Sequence, residues 1–321
     1  MQRHLFYGVL NWGLGHATRS IPIIKSYLLD GWELTIASDG LALDLLIQEF
    51  PDANFVHLAP LDIHYGNKFT MPFLLYKQIE KWKEANRQDE AILQEYFRNN
   101  RVDLVISDGR IGLVHPFIKC ILINHQLHPA PFWINRFIGK RLKECFARFN
   151  EIWVPDYEDA KLSGRLSDAS GLLNPVKFIG PKSRYAGAGL AHSGYVLAVI
   201  SGPNPSRKIF AEKLIKELKK SGLTYKVIYG GLDLEGEHVV QMPDNEFIQK
   251  EWQKAEVVIA RSGYSTIMDL ELSKKKAVLI PTPGQYEQLY LAKHLKGNNA
   301  NLMFCKESSI TRLGKMLRQL I

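Results

Sequence analysis

Short apolar, β-rich runs separated by amphipathic stretches recur along this chain in two series, and that alternation limits the possible folds more than any other feature. The first series is "HLFYGVL", "ELTIAS", "NFVHLA", "VDLVIS", "CILIN" and "EIWVP". The second is "YVLAVIS", "YKVIYG", "HVVQM", "EVVIA", "AVLIP" and "NLMFC". Strands alternating with helical patterns read as βαβ units on parallel sheets. A glycine-rich, weakly patterned stretch from about Gly180 to Gly194 separates the two series.

The expected fold is therefore α/β, with two Rossmann-like domains, 1–180 and 181–321, facing across a cleft at their strand ends. A chain of 321 residues with 46% hydrophobic and 23% charged residues can bury a core of that size. Near the end, Ile310, Leu313, Met316, Leu317 and Leu320 fall on one helical face. That last helix should pack, and the first domain is a candidate for what it packs back on.

The formal charge of +8 favours anionic partners without choosing among nucleotides, phosphorylated sugars, acidic lipids and nucleic acid. No zinc-finger spacing, RNP-like motif or basic heptad array supports nucleic acid. The sequence shows neither a signal-peptide pattern nor an apolar run of about 18 residues, so a cytoplasmic protein is expected. Cys120, Cys145 and Cys305 are widely spaced and odd in number, which suggests reduced, buried thiols.

Function is most legible in "YGVLNWGLGHATRSIPI", Tyr7 to Ile23. Gly13 and Gly15 let the backbone approach a ligand, and a helix beginning near Ala17 aims N–H groups and a positive dipole end at it. The Walker pattern fails, because Leu14 and Gly15 stand where lysine and a hydroxyl are required. The dinucleotide fingerprint lacks its third glycine, Thr18 standing there, although Asp39 lies where a ribose-binding acid belongs. An NAD(P)-binding oxidoreductase using Asp39 thus stays as an alternative.

"ARSGYSTIMDL" reads as a strand ending at Arg261, a Ser262–Gly263 turn and a helix from Tyr264 whose first N–H groups, with Ser265 and Thr266, suit a diphosphate. "PTPGQYEQ" places Gln285, Glu287 and Gln288 at another helix start, where they suit sugar hydroxyls or simply cap the helix. "SGPNPSR" offers Ser201, Gly202, Ser206 and Arg207, although Pro203 and Pro205 remove backbone donors.

"GLGHATRS", "ARSGYSTIMDL" and "PTPGQYEQLYLA", in that order and in separate halves, resemble GT-B fold glycosyltransferases. The likeness is to the branch containing the UDP-N-acetylglucosamine transferase of peptidoglycan assembly. The resemblance implies transfer of a sugar from a nucleotide-sugar donor, UDP-linked, to a hydroxyl acceptor, with lipid-linked acceptors among the candidates. It also implies an inverting single displacement with no metal or cofactor, the nucleotide-sugar being a substrate.

In the resembling enzymes an acid at the position of Asp269 binds ribose, usually as Glu, and a polar pair matching Glu287 and Gln288 holds the donor sugar. A histidine at the place of His16 takes the acceptor proton. Asp108, in "LVISDGR", emerges at the same sheet edge and would orient that base. His125 and Gln126 in "INHQLHP" are expected on the acceptor side; His125 and His128 lack the partners of a metal site.

The aromatic and basic stretch from Pro131 to Phe149 reads either as peripheral contact with the inner face of a membrane or as helix packing on a sheet. A nucleotide-sugar hydrolase or epimerase on the same scaffold is the nearest rival function.

Overall fold

The computed structural model describes residues 2–61, 71–187, 189, 191–202, 205–297 and 299–321, and for 71–79 the backbone alone. Pro203, one of the two prolines of "SGPNPSR", lies outside the described residues. The chain divides into two compact units, Met1–Arg184 and Tyr185–Ile321.

In the first unit the strands are β1 (His4–Val9), β2 (Glu33–Ser38), β3 (Asn54–His57), β4 (Leu104–Asp108), β5 (Cys120–Ile123), β6 (Glu151–Val154) and β7 (Val176–Phe178). Its helices are α1 (Gly15–Leu29), α2 (Gly40–Glu49), α3 (Met71–Asn99) and α4 (Asn135–Phe146). The sheet order is β3-β2-β1-β4-β5-β6-β7. Every pairing is parallel. The chain builds outward from β1 to β3, then crosses back to β4, so the order reverses between β1 and β4.

The second unit repeats this plan. Its strands are β8 (Val196–Ile200), β9 (Tyr225–Tyr229), β10 (Val239–Gln241), β11 (Val257–Ala260), β12 (Lys276–Leu279) and β13 (Leu302–Phe304). Its helices are α5 (Ser206–Ser221), α6 (Asn245–Lys254), α7 (Tyr264–Ser273), α8 (Tyr286–Leu295) and α9 (Leu313–Leu320). The order β10-β9-β8-β11-β12-β13 is again all parallel and reverses between β8 and β11.

Both faces of a parallel sheet are covered, so its strands are apolar throughout. In β1, Leu5, Tyr7 and Val9 pack with Ile21 and Ile24 of α1 and with Ala42 and Leu46 of α2. Phe6 faces the opposite layer, with Leu93 of α3 and Phe146 of α4. In the second unit Val196, Ala198 and Ile200 pack against Phe210, Leu214 and Leu218 of α5.

One expectation is corrected. Helix α1 starts at Gly15 and not near Ala17, which puts His16 in its first turn. In the last helix, Leu313, Leu317 and Leu320 belong to the second unit's own core, where α9 lies on α5. Strand β7, "VKF", has no counterpart among the expected runs.

Gly112 ties the β4 edge to α3. A Cβ there would stand 2.5 Å from the carbonyl oxygen of Asn86 and 2.8 Å from Cβ of Asp89. Helix backbone cannot yield as a flexible side chain would, and overpacking of this kind costs about 1–3 kcal/mol. Gly112→Ala should therefore lower the unfolding free energy by at least that range in urea titration, with the m-value unchanged.

Candidate functional site

His16, Asp108 and the motif loops after β8 and β11 lie at the two places where strand order reverses, while His125 and Gln126 follow β5 and Gln285, Glu287 and Gln288 follow β12. In open α/β sheets ligands bind outside the carboxyl ends of the strands at such a switch point. In the first unit the loop after β1 carries Gly13 and Gly15, and His16 follows in α1, while Asp108 ends β4. Gly13 has φ +72°, a left-handed turn that glycine adopts without strain.

The Asp108 carboxylate is fully buried and organises this edge. Its Oδ1 lies 2.7 Å from His16 Nδ1 and also accepts from an Arg19 terminal nitrogen. Its Oδ2 accepts from Arg19 Nε at 2.7 Å and from the Ser20 hydroxyl at 3.2 Å. The other side of the Arg19 guanidinium reaches His125 Nδ1 at 3.3 Å. His16, Asp108 and His125, three residues expected in the site, are thus joined through a fourth that the sequence reading passed over. The signal for it was present: Arg19 follows His16 by three positions, one turn along a helix.

Glycine at 109 makes room for the histidine ring. Its φ is +81°, and a Cβ there would stand 2.9 Å from His16 Cε1.

The charges at this edge oppose one another. Burial alone would raise the Asp108 carboxyl, but Arg19 and then His16 hold it well below the usual carboxylate range. Burial and then Arg19 push His16 down, outweighing the attraction of Asp108. Desolvation pushes the buried Tyr7 hydroxyl well up, with the Asp108 charge adding to it. These opposing effects favour an ionised Asp108 and a neutral imidazole at His16, whose side chain is still 17% exposed.

His128 takes a separate partner, its Nδ1 lying 2.7 Å from the Asp168 carbonyl oxygen. The Gln126 amide N–H donates to Asn124 Oδ1 at 2.8 Å, fixing the turn after β5.

In the second unit Ser201 and Gly202 follow β8, and Ser206 and Arg207 open α5. Arg207 spans two strand ends, donating to the carbonyls of Gly202 at 3.2 Å and of Gly230, with its guanidinium over Tyr229. Arg261, Ser262 and Gly263 link β11 to α7; Ser265, Thr266 and Asp269 lie on the helix and are half-buried.

Arg261 turns inward instead of lying open to a ligand. Its guanidinium sits 3.5 Å above the Phe210 ring, pairs with Glu307 at 2.9 Å and donates to the Ile280 carbonyl at 3.3 Å. Ser262, also fully buried, donates to the Gln288 carbonyl at 3.0 Å. Gln288 braces its own turn: its Oε1 accepts from the Thr282 N–H at 2.8 Å and its amide donates to Gln285 Oε1. Glu287, in the first turn of α8, is half-buried.

Helices α1, α5, α7 and α8 begin after Leu14, Pro205, Gly263 and Gln285, and among the described residues no N-cap side chain bonds to any of these starts. Helix α6 contrasts, its Asp244 carboxylate accepting from the Phe247 N–H. An uncapped N-terminus keeps backbone donors and a positive dipole end for an anion.

Residues 212–321 match the glycosyltransferase family 28 C-terminal domain. The structure superposes along its length on solved glycosyltransferases. Arabidopsis thaliana UGT89C1 complexed with UDP-L-rhamnose gives a TM-score of 0.63 at 13% identity, over 99% of this chain and 90% of that one. MurG of Acinetobacter baumannii gives 0.58 at 14% identity, over 100% and 92%. The glycotransferase of kitacinnamycin gives 0.64 at 14%, over 100% and 91%. No sequence among curated proteins matches the chain. The chain therefore has the GT-B fold of these glycosyltransferases, and its second unit carries the match to the glycosyltransferase family 28 C-terminal domain.

A second buried network in the first unit adjoins the Asp108 cluster in sequence. Arg110, fully buried, pairs with Asp89 of α3 at 2.9 Å and lies 3.6 Å from Asp39. Asn11, in the loop before α1, donates to Asp39 Oδ1 at 2.8 Å. Asp39, the residue of the ribose-binding alternative, is buried here, with Oδ1 accepting from Asn11 and Oδ2 lying 3.6 Å from Arg110.

Desolvation lifts Asp89 to about 7, against the pull of Arg110, with Asp39 adding to the rise. The folded protein therefore binds a proton that the unfolded chain, with a carboxyl near ~3.9, has already lost. Stability from this group is present at acid pH and is lost as pH rises through 7. Between pH 5.5 and 8.5 the loss is about 2 kcal/mol by linkage. Asp89→Asn should remove that loss: denaturant titrations at the two pH values will show the variant gaining about 2 kcal/mol on the wild type at the higher pH. The histidine contribution cancels in the comparison.

Proposed function

We propose that this chain transfers a sugar from a UDP-linked donor to a hydroxyl acceptor by a single inverting displacement, with helix N-termini rather than a metal facing the leaving diphosphate. The observation that carries the reading is the 2.7 Å contact between His16 Nδ1 and Asp108 Oδ1 at the β1/β4 switch point. An ionised carboxylate accepts from Nδ1–H, which leaves the lone pair on Nε2. A neutral imidazole so oriented suits a general base.

In the proposed step Nε2 takes the proton of the acceptor hydroxyl as its oxygen bonds to the anomeric carbon. The bond from that carbon to the diphosphate oxygen breaks, and the electron pair leaves with UDP. The uncapped starts of α5 and α7, with Ser201, Gly202, Ser206, Ser262, Gly263, Ser265 and Thr266 around them, are assigned to the diphosphate. Asp269 is assigned to the ribose, and Glu287 to the sugar. The bonds of Gln285 and Gln288 to their own turn support a role in shaping the sugar pocket. The UDP-L-rhamnose of the Arabidopsis relative supports a UDP-linked donor, and the first unit is assigned to the acceptor.

A thermal-shift series with UDP, GDP, dTDP, CMP and NAD tests the donor class, since a ligand at a hundredfold excess over Kd stabilises by about 2.7 kcal/mol. A shift with UDP and none with NAD is expected; the reverse would overturn the proposal. Asp269→Asn should weaken UDP by about 1–3 kcal/mol in titration calorimetry while the fold is kept.

His16→Ala should slow single-turnover transfer by about 10²- to 10⁴-fold and change UDP affinity far less. An unchanged rate would remove His16 from the reaction.

A further inference from the structure

A histidine paired with a carboxylate ordinarily becomes a stronger base, because the carboxylate stabilises the imidazolium. Here the carboxylate is not His16's alone. Arg19 takes both Asp108 oxygens, through Nε at 2.7 Å on Oδ2 and a terminal nitrogen on Oδ1. The same terminal nitrogen lies 2.9 Å from His16 Nδ1. Asp108 and Arg19 are both almost wholly buried, so their charges are little screened by water.

We infer that Arg19 is a positioning residue that cancels the Asp108 charge toward His16, holding the imidazole neutral with its proton on Nδ1 and its lone pair on Nε2. The inference rests on the reading of His16 as the base and specifies how that base is kept ready.

The charge count supports it. Carboxylate and guanidinium sum to zero, so an imidazolium would add an uncompensated positive charge to a buried cluster. The groups facing His16 do not offset it. Arg19 on α1 and His125 after β5 both oppose its protonation, and Asp108 at the end of β4 is the attracting group. Tyr7 on β1 faces Asp108 as a neutral hydroxyl whose ionisation burial suppresses. The tautomer follows from the same contacts. An ionised Asp108 Oδ1 at 2.7 Å can only accept, so that contact calls for the proton on Nδ1, with the Arg19 hydrogens directed to the carboxylate. Arg19 also donates toward His125 Nδ1, so one guanidinium orients both histidines.

The test is titration of His16 by nitrogen-15 NMR, assigned by its loss in His16→Ala. In the wild type at pH 7 the ring should be neutral and protonated on Nδ1. An imidazolium, or a proton on Nε2, overturns the inference. In Arg19→Met, with folding checked by circular dichroism, the titration midpoint should rise by about one pH unit or more as Asp108 acts unopposed; an unchanged midpoint overturns it. Arg19→Lys keeps the charge and should hold the midpoint within a few tenths of the wild type, and a rise as large as that of the methionine variant overturns it. Should the methionine variant fail to fold, the wild-type tautomer and the lysine variant still decide. None of these readings requires transfer activity, so the inference and the general-base proposal can fail separately.

Discussion

The edge of the first unit depends on a single carboxylate at the end of β4. Asp108 is fully buried, and a lone ion there would be untenable, so every donor around it is part of the condition for its being charged. His16 and Arg19 come to it from one turn of α1, and Ser20 from the next position. The start of α1, the glycine at 109 and the reversal of strand order between β1 and β4 all meet in that contact. A buried ion pair adds little net stability over an apolar equivalent, but breaking it is costly. The cluster is therefore evidence of chemical purpose more than of thermostability.

Much of the architecture could be read before the structure. Runs such as "VDLVIS" and "EVVIA" are apolar throughout because parallel strands are covered on both faces, and their recurrence announces two sheets. Strand β7 could not be read in this way, since "VKF" is three residues long at a sheet edge and carries an exposed lysine. The start of α1 was misjudged because Gly15 is a poor helix former in isolation and tertiary contacts of His16 override its propensity.

The site was legible where chemistry and position coincide, as with His16, Asp108 and His125. It was illegible where the partner is remote in sequence. Nothing in "ARSGYS" reveals that Arg261 will pair with Glu307, and nothing in "ASDG" shows Asp39 meeting Arg110. Arg19 was hidden differently. It stands among the buried residues of an amphipathic helix, and a charged residue there signals a buried partner only once the fold supplies one.

The turn from Pro281 to Gln288 shows how far such a site can be modular. Gln288 holds Thr282 through its carbonyl and Gln285 through its amide, so the shape of the turn is specified by its own residues. Its ties to β11 and the loop after it are the Ser262 hydroxyl on the Gln288 carbonyl and the Arg261 guanidinium on the Pro281 carbonyl. A segment that carries its own bracing can exchange its exposed side chains without the core registering the change. Selection acting on such a turn could retune which ligand is accepted while the sheet beneath stays as it is, and a designer could graft it as one piece.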